Sequence, residues 1–212
     1  VCDRLSVAAA EATSPASAVA AAERIAILWD ASASRAALDH GRELEFLRCF
    51  FKQPSLASRS VQVDLVPLRF TAEAAQSFTV AAGSTDSLIG AIRSLQYDGA
   101  LRLVRLLPRD LPRPGVCLLF TDGQGTLGAE RTAKAKAPVH IIACGTTDRG
   151  TLQRLAESGH GRVIDLERTS IETAAQWLAG SPLRFLGVRP REGSVKDVLP
   201  TRAGAAAEWF GL

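Results

Sequence analysis

The chain has 212 residues, of which 47% are hydrophobic and 22% charged, and 25 basic against 22 acidic side chains give a net charge of +3. This composition is typical of a globular domain and excludes a disordered chain. The basic residues form no run of the kind that grips nucleic acid, and the aromatic residues are too few for a base-stacking platform. Nucleic acid is therefore not an expected partner.

The sequence also argues against membrane insertion of this segment and against a disulfide framework. No stretch approaches the roughly 18 apolar residues that a membrane helix needs, and the N-terminus lacks the order of a signal peptide. The four cysteines, Cys2, Cys49, Cys117 and Cys144, show neither CxxC pairing nor framework spacing. We interpret them as structural thiols, which favour the cytoplasm although the sequence does not otherwise define a compartment.

The first half of the chain predicts alternating strands and helices after an Ala- and Ser-rich linker or N-terminal arm over residues 1–22. Residues 24–29 are nearly all apolar, as in a parallel strand covered on both faces. A helix follows, with apolar residues at three- and four-residue steps from Ala37 to Phe51. Its other face is predicted to carry Arg35, Asp39, Arg42, Glu43 and Arg48. Next come a strand over 60–70, an antiparallel edge strand over 76–80, and a helix opened by Ser84-Thr85-Asp86.

The second half repeats this alternation. In order, it predicts helical turns over 100–107, a strand over 116–121, a helix over 126–137, a strand over 139–144, a helix over 151–158, a strand over 162–166 and a helix over 170–179. The whole pattern indicates a doubly wound α/β fold over residues 23–181, with a mostly parallel six-stranded sheet and one antiparallel edge strand. Residues 182–212 are interpreted as a short C-terminal β extension or the start of a following β domain.

Polar side chains follow two of the predicted strands where each strand ends. Asp30, Ser32 and Ser34 come directly after the first strand, and Asp122 follows the strand over 116–121. Open α/β sheets bind ligands at the carboxyl ends of their strands, and carboxylate and hydroxyl oxygens suit Mg²⁺ or Mn²⁺. The alternative is local: Ser32 or Ser34 caps the following helix while Asp30 accepts hydrogen bonds from backbone N–H groups.

The segments 28–34 and 119–123 together resemble a von Willebrand factor type A (VWA) domain, most closely the bacterial ones that follow an inter-alpha-trypsin-inhibitor-type (VIT) domain. The resemblance covers about residues 23–181. It implies a non-enzymatic protein-binding module with a metal-ion-dependent adhesion site, where an acidic side chain of a partner protein completes the coordination of a divalent ion. Asp30, Ser32, Ser34 and Asp122 match the metal ligands.

One departure from the family pattern bears on the metal. The family places a threonine ligand in a loop after a helix, and the matching segment here, Tyr97-Asp98-Gly99-Ala100-Leu101-Arg102, has Leu101 or Arg102 at that position. An aliphatic side chain cannot ligate, and an arginine repels a divalent cation. We therefore expect a partly degraded site whose metal binding is weakened or lost. Thr85 is a further candidate ligand, although it precedes a helix, and helix capping is its alternative role.

The resemblance places three residues, Leu101, Arg102 and Gly123, where they would contact the partner. Two other functions stay open. The first is a Mg²⁺-dependent α/β hydrolase or phosphotransferase with Asp30 as nucleophile. Against it, no second acid stands two residues after Asp30, and no Lys or His is clearly placed to stabilise a leaving group. The second is an inert structural domain of a larger protein. The histidines His40, His140 and His160 share no metal-ligand spacing.

Overall fold

The predicted alternation forms one sheet with helices on both faces in the computed structural model, which describes residues 19–101, 112–124, 137–145 and 149–180. The strands are β1 Arg24–Asp30, β2 Val61–Leu68, β3 Gln76–Val80, β4 Val116–Phe120, β5 Val139–Ala143 and β6 Val163–Asp165. The sheet order is β3-β2-β1-β4-β5-β6. Every pair is parallel except β2 with β3. The predicted fold class is therefore confirmed, including the antiparallel edge strand.

The helices that lie wholly within the described residues are α1 Gly41–Phe51, α2 Pro54–Ala57, α3 Asp86–Arg93, α4 Arg149–Ser158 and α5 Ile171–Ala179, and one turn of 3-10 helix spans Ala33–Arg35. None of these helices has the length and apolar character needed to cross a membrane. The helical segments predicted over 100–107 and 126–137 lie almost wholly outside the described residues. So do the N-terminal arm up to residue 18 and the C-terminal extension, and the domain boundaries stay a prediction.

Two apolar clusters cover the two faces of the sheet. Because side chains alternate along a strand, β1 sends Ile25, Ile27 and Trp29 into one cluster, where they meet α1, α3 and α5. The same strand sends Ala26 and Leu28 into the other cluster, which α4 completes. This burial on both faces explains why β1 and β4 are almost entirely apolar in the sequence and why β5 is apolar except for His140. Among the described cysteines, Cys49, Cys117 and Cys144 are free thiols.

Helix α1 differs from the sequence-based expectation in its start and in its polar face. It begins at Gly41 rather than near Ala37, and Leu38 is 38% exposed. The Asp39 carboxylate accepts a hydrogen bond from the Gly41 N–H at 2.8 Å, which holds the turn before the helix. Arg35 and Glu43, which the periodicity placed on a solvated face, are buried at 1% and 2% exposure. They pair with each other at the edge of the sheet that carries the candidate site.

Candidate functional site

The site lies at the carboxyl edge, which we define as the edge of the sheet where β1 and β4 end. These two strands are parallel neighbours, with Trp29 in register with Phe120. Asp30 and the pair Thr121 and Asp122 therefore leave the sheet side by side. The structure brings together the residues predicted from the two strand ends.

Three of the four predicted ligands form a continuous chain of polar contacts. The Ser32 and Ser34 hydroxyl oxygens are 3.1 Å apart, and the Ser34 hydroxyl donates to Asp122 Oδ2 at 3.1 Å. Ser32 and Asp122 are each 2% exposed, whereas Ser34 is exposed. Oxygen atoms from both strand ends thus converge on a cluster that opens to the surface at Ser34.

Asp30, the fourth predicted ligand, is fully buried and both of its carboxylate oxygens are engaged within the chain. Oδ1 accepts the Ser32 N–H at 2.9 Å, and Oδ2 accepts the Thr121 hydroxyl at 2.6 Å. Burial raises the pKa of Asp30, and the hydrogen bonds from Ser32 and Thr121 and the positive charge of Arg35 act in the opposite direction. Asp30 therefore holds its loop by accepting a backbone N–H, as the local alternative expected.

The serine half of that alternative is wrong. Ser32 occupies the N-cap position of the 3-10 turn Ala33–Arg35, but its side chain makes no capping hydrogen bond. The next helix, α1, begins seven residues after Ser34, at Gly41. The serine hydroxyls bond to each other and to Asp122 instead of to a helix end.

Thr121 is a site residue that sequence reasoning missed. Besides donating to Asp30, its hydroxyl accepts the Gly123 N–H at 3.0 Å, so one buried group ties the two strand ends together. The available signal was a hydroxyl at the last position of a buried apolar run. Gly123 has φ +70°, and a Cβ there would lie 2.8 Å from Leu152 Cδ2. Gly123 is buried against α4, and its predicted contact with a partner stays a prediction.

Thr121→Val is expected to lower the free energy of unfolding by about 1–3 kcal/mol, because it leaves Asp30 Oδ2 and the Gly123 N–H without their buried partner. Urea denaturation of the variant measures this loss. Thr121→Ser is the matched control, since it keeps the hydroxyl. A loss in Thr121→Ser as large as that in Thr121→Val, or no loss in Thr121→Val, would contradict the hydroxyl as the main stabilising group at this position.

The loop predicted to replace the family's threonine lies directly beside the Asp30 loop. Ala33 N–H donates to the Gly99 carbonyl at 3.1 Å, and Asp98 N–H donates to the Ala31 carbonyl at 3.0 Å. Leu101 is 1% exposed and belongs to the apolar cluster on the α4 face. Its side chain is thus part of the core and not of the described surface. Arg102 lies outside the described residues.

The structure does not bring Thr85 to the other predicted ligands. Because β3 is antiparallel and Val80 pairs with Val61, β3 ends at the amino ends of the parallel strands. Gly83, shortly after, lies against Phe51, the last residue of α1. Thr85 follows at this opposite edge, where it is 4% exposed at the N-cap position of α3 without a side-chain capping bond.

A buried ion pair, also missed from the sequence, lies behind the carboxyl edge. Arg35 Nη2 donates to both Glu43 carboxylate oxygens at 2.5 and 2.6 Å. Arg35 Nη1 donates to the carbonyl oxygens of Asp30 at 2.6 Å and Phe120 at 3.1 Å. His40 Nδ1 lies 2.7 Å from Glu43 Oε2. The single guanidinium therefore connects the ends of β1 and β4 to helix α1.

Aromatic rings surround this ion pair. The Arg35 guanidinium carbon lies 5.1 Å from the centre of the Trp29 ring, a cation–π contact. Trp29 Nε1 donates to the Tyr97 hydroxyl at 2.8 Å, and the Tyr97 ring stacks on His40 at 4.8 Å. These ring contacts contribute to the burial of the pair, in which both side chains are almost inaccessible to water.

No protein-family model and no curated protein matches this chain. Solved structures similar to it include the SpRpn10 VWA domain, at 12% identity and a TM-score of 0.49, covering 76% of this chain and 98% of that one. Proximal thread matrix protein 1 from the mussel byssus is similar at 13% identity and a TM-score of 0.48, covering 74% of this chain and 46% of that one. The pilus adhesin SpaC from Lactobacillus rhamnosus GG is similar at 14% identity and a TM-score of 0.43, covering 73% and 29%. The strand order and the single antiparallel edge strand identify the fold as a VWA-like, Rossmann-like α/β fold.

Proposed function

We propose that this chain is a protein-binding module whose partner docks on the carboxyl edge, with a divalent cation, Mg²⁺ or Mn²⁺, between the two proteins. The observation that carries the proposal is the contact chain from the Ser32 hydroxyl through the Ser34 hydroxyl to the Asp122 carboxylate, which opens to the surface at Ser34. An acidic side chain of the partner is the group that complements such an ion.

The chemistry of these side chains fits a hard cation. Ser32, Ser34 and Asp122 would hold the ion through oxygen atoms, which Mg²⁺ and Mn²⁺ prefer. When bound, the ion supplies open coordination positions for a partner's carboxylate. In the part of the chain that the structure describes, no group of three or more His, Cys, Asp or Glu side chains is placed to hold a metal. Affinity therefore depends on the serine hydroxyls.

Two features support a weakened site rather than a strong one. Both Asp30 oxygens already accept hydrogen bonds from within the chain, so Asp30 contributes its charge from behind the serines. The position predicted for the family's threonine falls on Leu101 or Arg102, and Leu101 is a core residue. We therefore propose that the ion binds weakly and exchanges readily, and that an acidic side chain of the partner completes its coordination.

The hydrolase or phosphotransferase alternative fits the geometry less well. A nucleophilic carboxylate must reach its substrate, whereas Asp30 is fully buried with both oxygens engaged. The same observation favours an inert structural domain as the second candidate function. Metal binding distinguishes that candidate from the proposed one.

Mn²⁺ is expected to raise the melting temperature of the protein, because a ligand that binds only the folded state stabilises it. A concentration of about 100 times Kd adds about 2.7 kcal/mol, which corresponds to about 5–10 °C for a chain of this size. Ser34→Ala should abolish the rise at little cost to stability, since Ser34 is exposed. Ser87→Ala, an exposed serine of α3, is the matched control and should keep it. No rise for the unmodified chain at millimolar Mg²⁺ and Mn²⁺ would contradict the metal-dependent proposal and leave the structural candidate.

Leu101→Thr is expected to enlarge the Mn²⁺-induced rise in melting temperature, because it restores a hydroxyl in the loop that lies beside the Asp30 loop. The absolute melting temperature should fall, since the substitution removes apolar contacts of a buried residue. The comparison is therefore made between the same variant with and without Mn²⁺. An unchanged or smaller rise would contradict the assignment of Leu101 to the threonine position.

A further inference from the structure

We infer that Arg35, held by Glu43, is the positioning residue that fixes the two ligand-bearing strand ends relative to each other. The inference concerns the proposed metal and partner site, and its consequence for ion affinity rests on the proposed function. Its structural part stands on the contacts of Arg35 alone.

The first step of the argument is what Arg35 touches. Its Nη1 atom donates to the carbonyl oxygen of Asp30 and to that of Phe120, the last residues of β1 and β4. The register between β1 and β4 ends at Trp29 and Phe120. Arg35 adds a crosslink at the point where the ladder stops and the site side chains begin.

The second step is what holds Arg35 in place. Both Glu43 carboxylate oxygens accept from Nη2, and together with the two carbonyls bonded to Nη1 they fix the orientation of the guanidinium. Glu43 lies in the first turn of α1, and α1 packs its apolar stripe on the sheet. The orientation of the guanidinium is therefore set by the rigid core and not by the Asp30 loop.

The third step is what the crosslink positions. One carbonyl that accepts from Arg35 belongs to Asp30 itself. The other belongs to Phe120, and Thr121 and Asp122 follow it directly in the chain. Ser34 spans the two strand ends by its bond to Asp122, which is long at 3.1 Å and partly exposed. Such a bond is too weak to set the spacing of the two ends by itself. The buried constraints on the two ends are the Thr121 hydroxyl, which donates to Asp30 Oδ2 at 2.6 Å, and the charge-assisted contacts of Arg35, which hold both backbone carbonyls.

Hydrogen exchange of the Arg35→Met, Glu43→Leu double variant tests the inference without any metal. The double variant removes both charges together, which buried ion pairs often tolerate. Three amides report on the site: Ser32 N–H bonds to Asp30, Gly123 N–H to Thr121 and Gln124 N–H to Asp122. We expect their protection to fall at least about tenfold while amides of β2 and β5 keep theirs, since local opening is separable from global unfolding.

Arg35→Lys serves as the second variant in case the double variant does not fold. Lysine keeps the charge opposite Glu43 but lacks the planar fork that reaches two carbonyl oxygens as well. The same selective loss of protection is expected. Unchanged protection of the three amides in a folded variant would overturn the inference.

Mn²⁺ binding of the same variants then separates this inference from the proposed function. If the unmodified chain binds Mn²⁺, the double variant should bind at least about tenfold more weakly with an unchanged core, and equal affinity would overturn the positioning role. If the unmodified chain does not bind Mn²⁺, the metal-dependent function fails, while the exchange result alone decides whether Arg35 positions the strand ends.

Discussion

Glu43→Gln is expected to lower the free energy of unfolding by about 3–5 kcal/mol, the cost of breaking a buried ion pair on one side. Arg35 is 1% exposed and loses the carboxylate that accepts two of its hydrogen bonds at 2.5 and 2.6 Å. The amide of glutamine offers one acceptor and no charge. Urea denaturation of the variant and the unmodified chain under the same conditions measures the difference.

Glu45→Gln is the matched control, because it makes the same substitution two residues along α1. Glu45 pairs with Arg48 at 3.0 Å, but its side chain is 51% exposed. Exposed pairs contribute about 0–1 kcal/mol, so this variant should be close to the unmodified chain. A loss below 1 kcal/mol for Glu43→Gln would contradict the account of Arg35 as a buried charge that depends on Glu43.

The second large effect is a loss of stability in mild acid that depends on His140. This side chain is fully buried on β5, and neither ring nitrogen has a hydrogen-bond partner among the described residues. Burial lowers the pKa of His140 from 6.5 to about 4, and the positive charge of Arg162 acts in the same direction. The unfolded chain therefore binds a proton between these two pH values while the folded chain does not.

The sign of the pH effect follows from this difference. The stabilising contribution of neutral His140 is fully present above pH 6.5 and is lost as the pH falls toward 4. The loss over this window is about 3 kcal/mol, since one pKa unit corresponds to 1.36 kcal/mol. His140→Leu should remove this acid-induced loss. As the pH falls from 7 to 4, the unfolding free energy of the variant should therefore rise relative to that of the unmodified chain.

His160→Asn provides the control for this pH series. His160 is exposed in a turn with φ +53°, a conformation that asparagine tolerates. This variant should follow the unmodified chain across the same pH range. A pH dependence of His140→Leu that parallels that of the unmodified chain would contradict the assignment of the acid loss to His140.

The sheet was predictable because its strands follow simple patterns. Strands β1 and β4 are nearly continuous apolar runs and β5 is apolar except for His140, a pattern typical of strands covered on both faces. Strand β3 was predicted at an edge as a short strand, and the exposed and half-exposed residues from Gln76 to Thr79 agree with that position. The convergence of Asp30 and Asp122 followed from the rule that parallel strands end at the same edge.

The interior of the site could not be predicted in the same way. A buried arginine and a solvated arginine can occupy the same position in a helical pattern of polar residues, so the pattern does not show that Arg35 is buried. Its partner Glu43 lies on a different element, α1. Periodicity shows which residues are polar, but it does not show whether a residue of opposite charge lies beside them in the fold. The start of α1 was also missed. The Gly41 N–H donates to the Asp39 carboxylate, and this bond ends the preceding loop. The spacing of apolar residues does not show where that loop ends.

Paramagnetic broadening of backbone amide signals by Mn²⁺ tests the proposed metal site most directly, because it reports where the ion lies. At substoichiometric Mn²⁺, the account predicts that the amide signals of Ser32, Ser34 and Asp122 broaden first. Ser34→Ala should remove this selectivity. Uniform broadening, broadening centred on another part of the chain, or the same pattern in Ser34→Ala would contradict a divalent-cation site built on the two serines and Asp122.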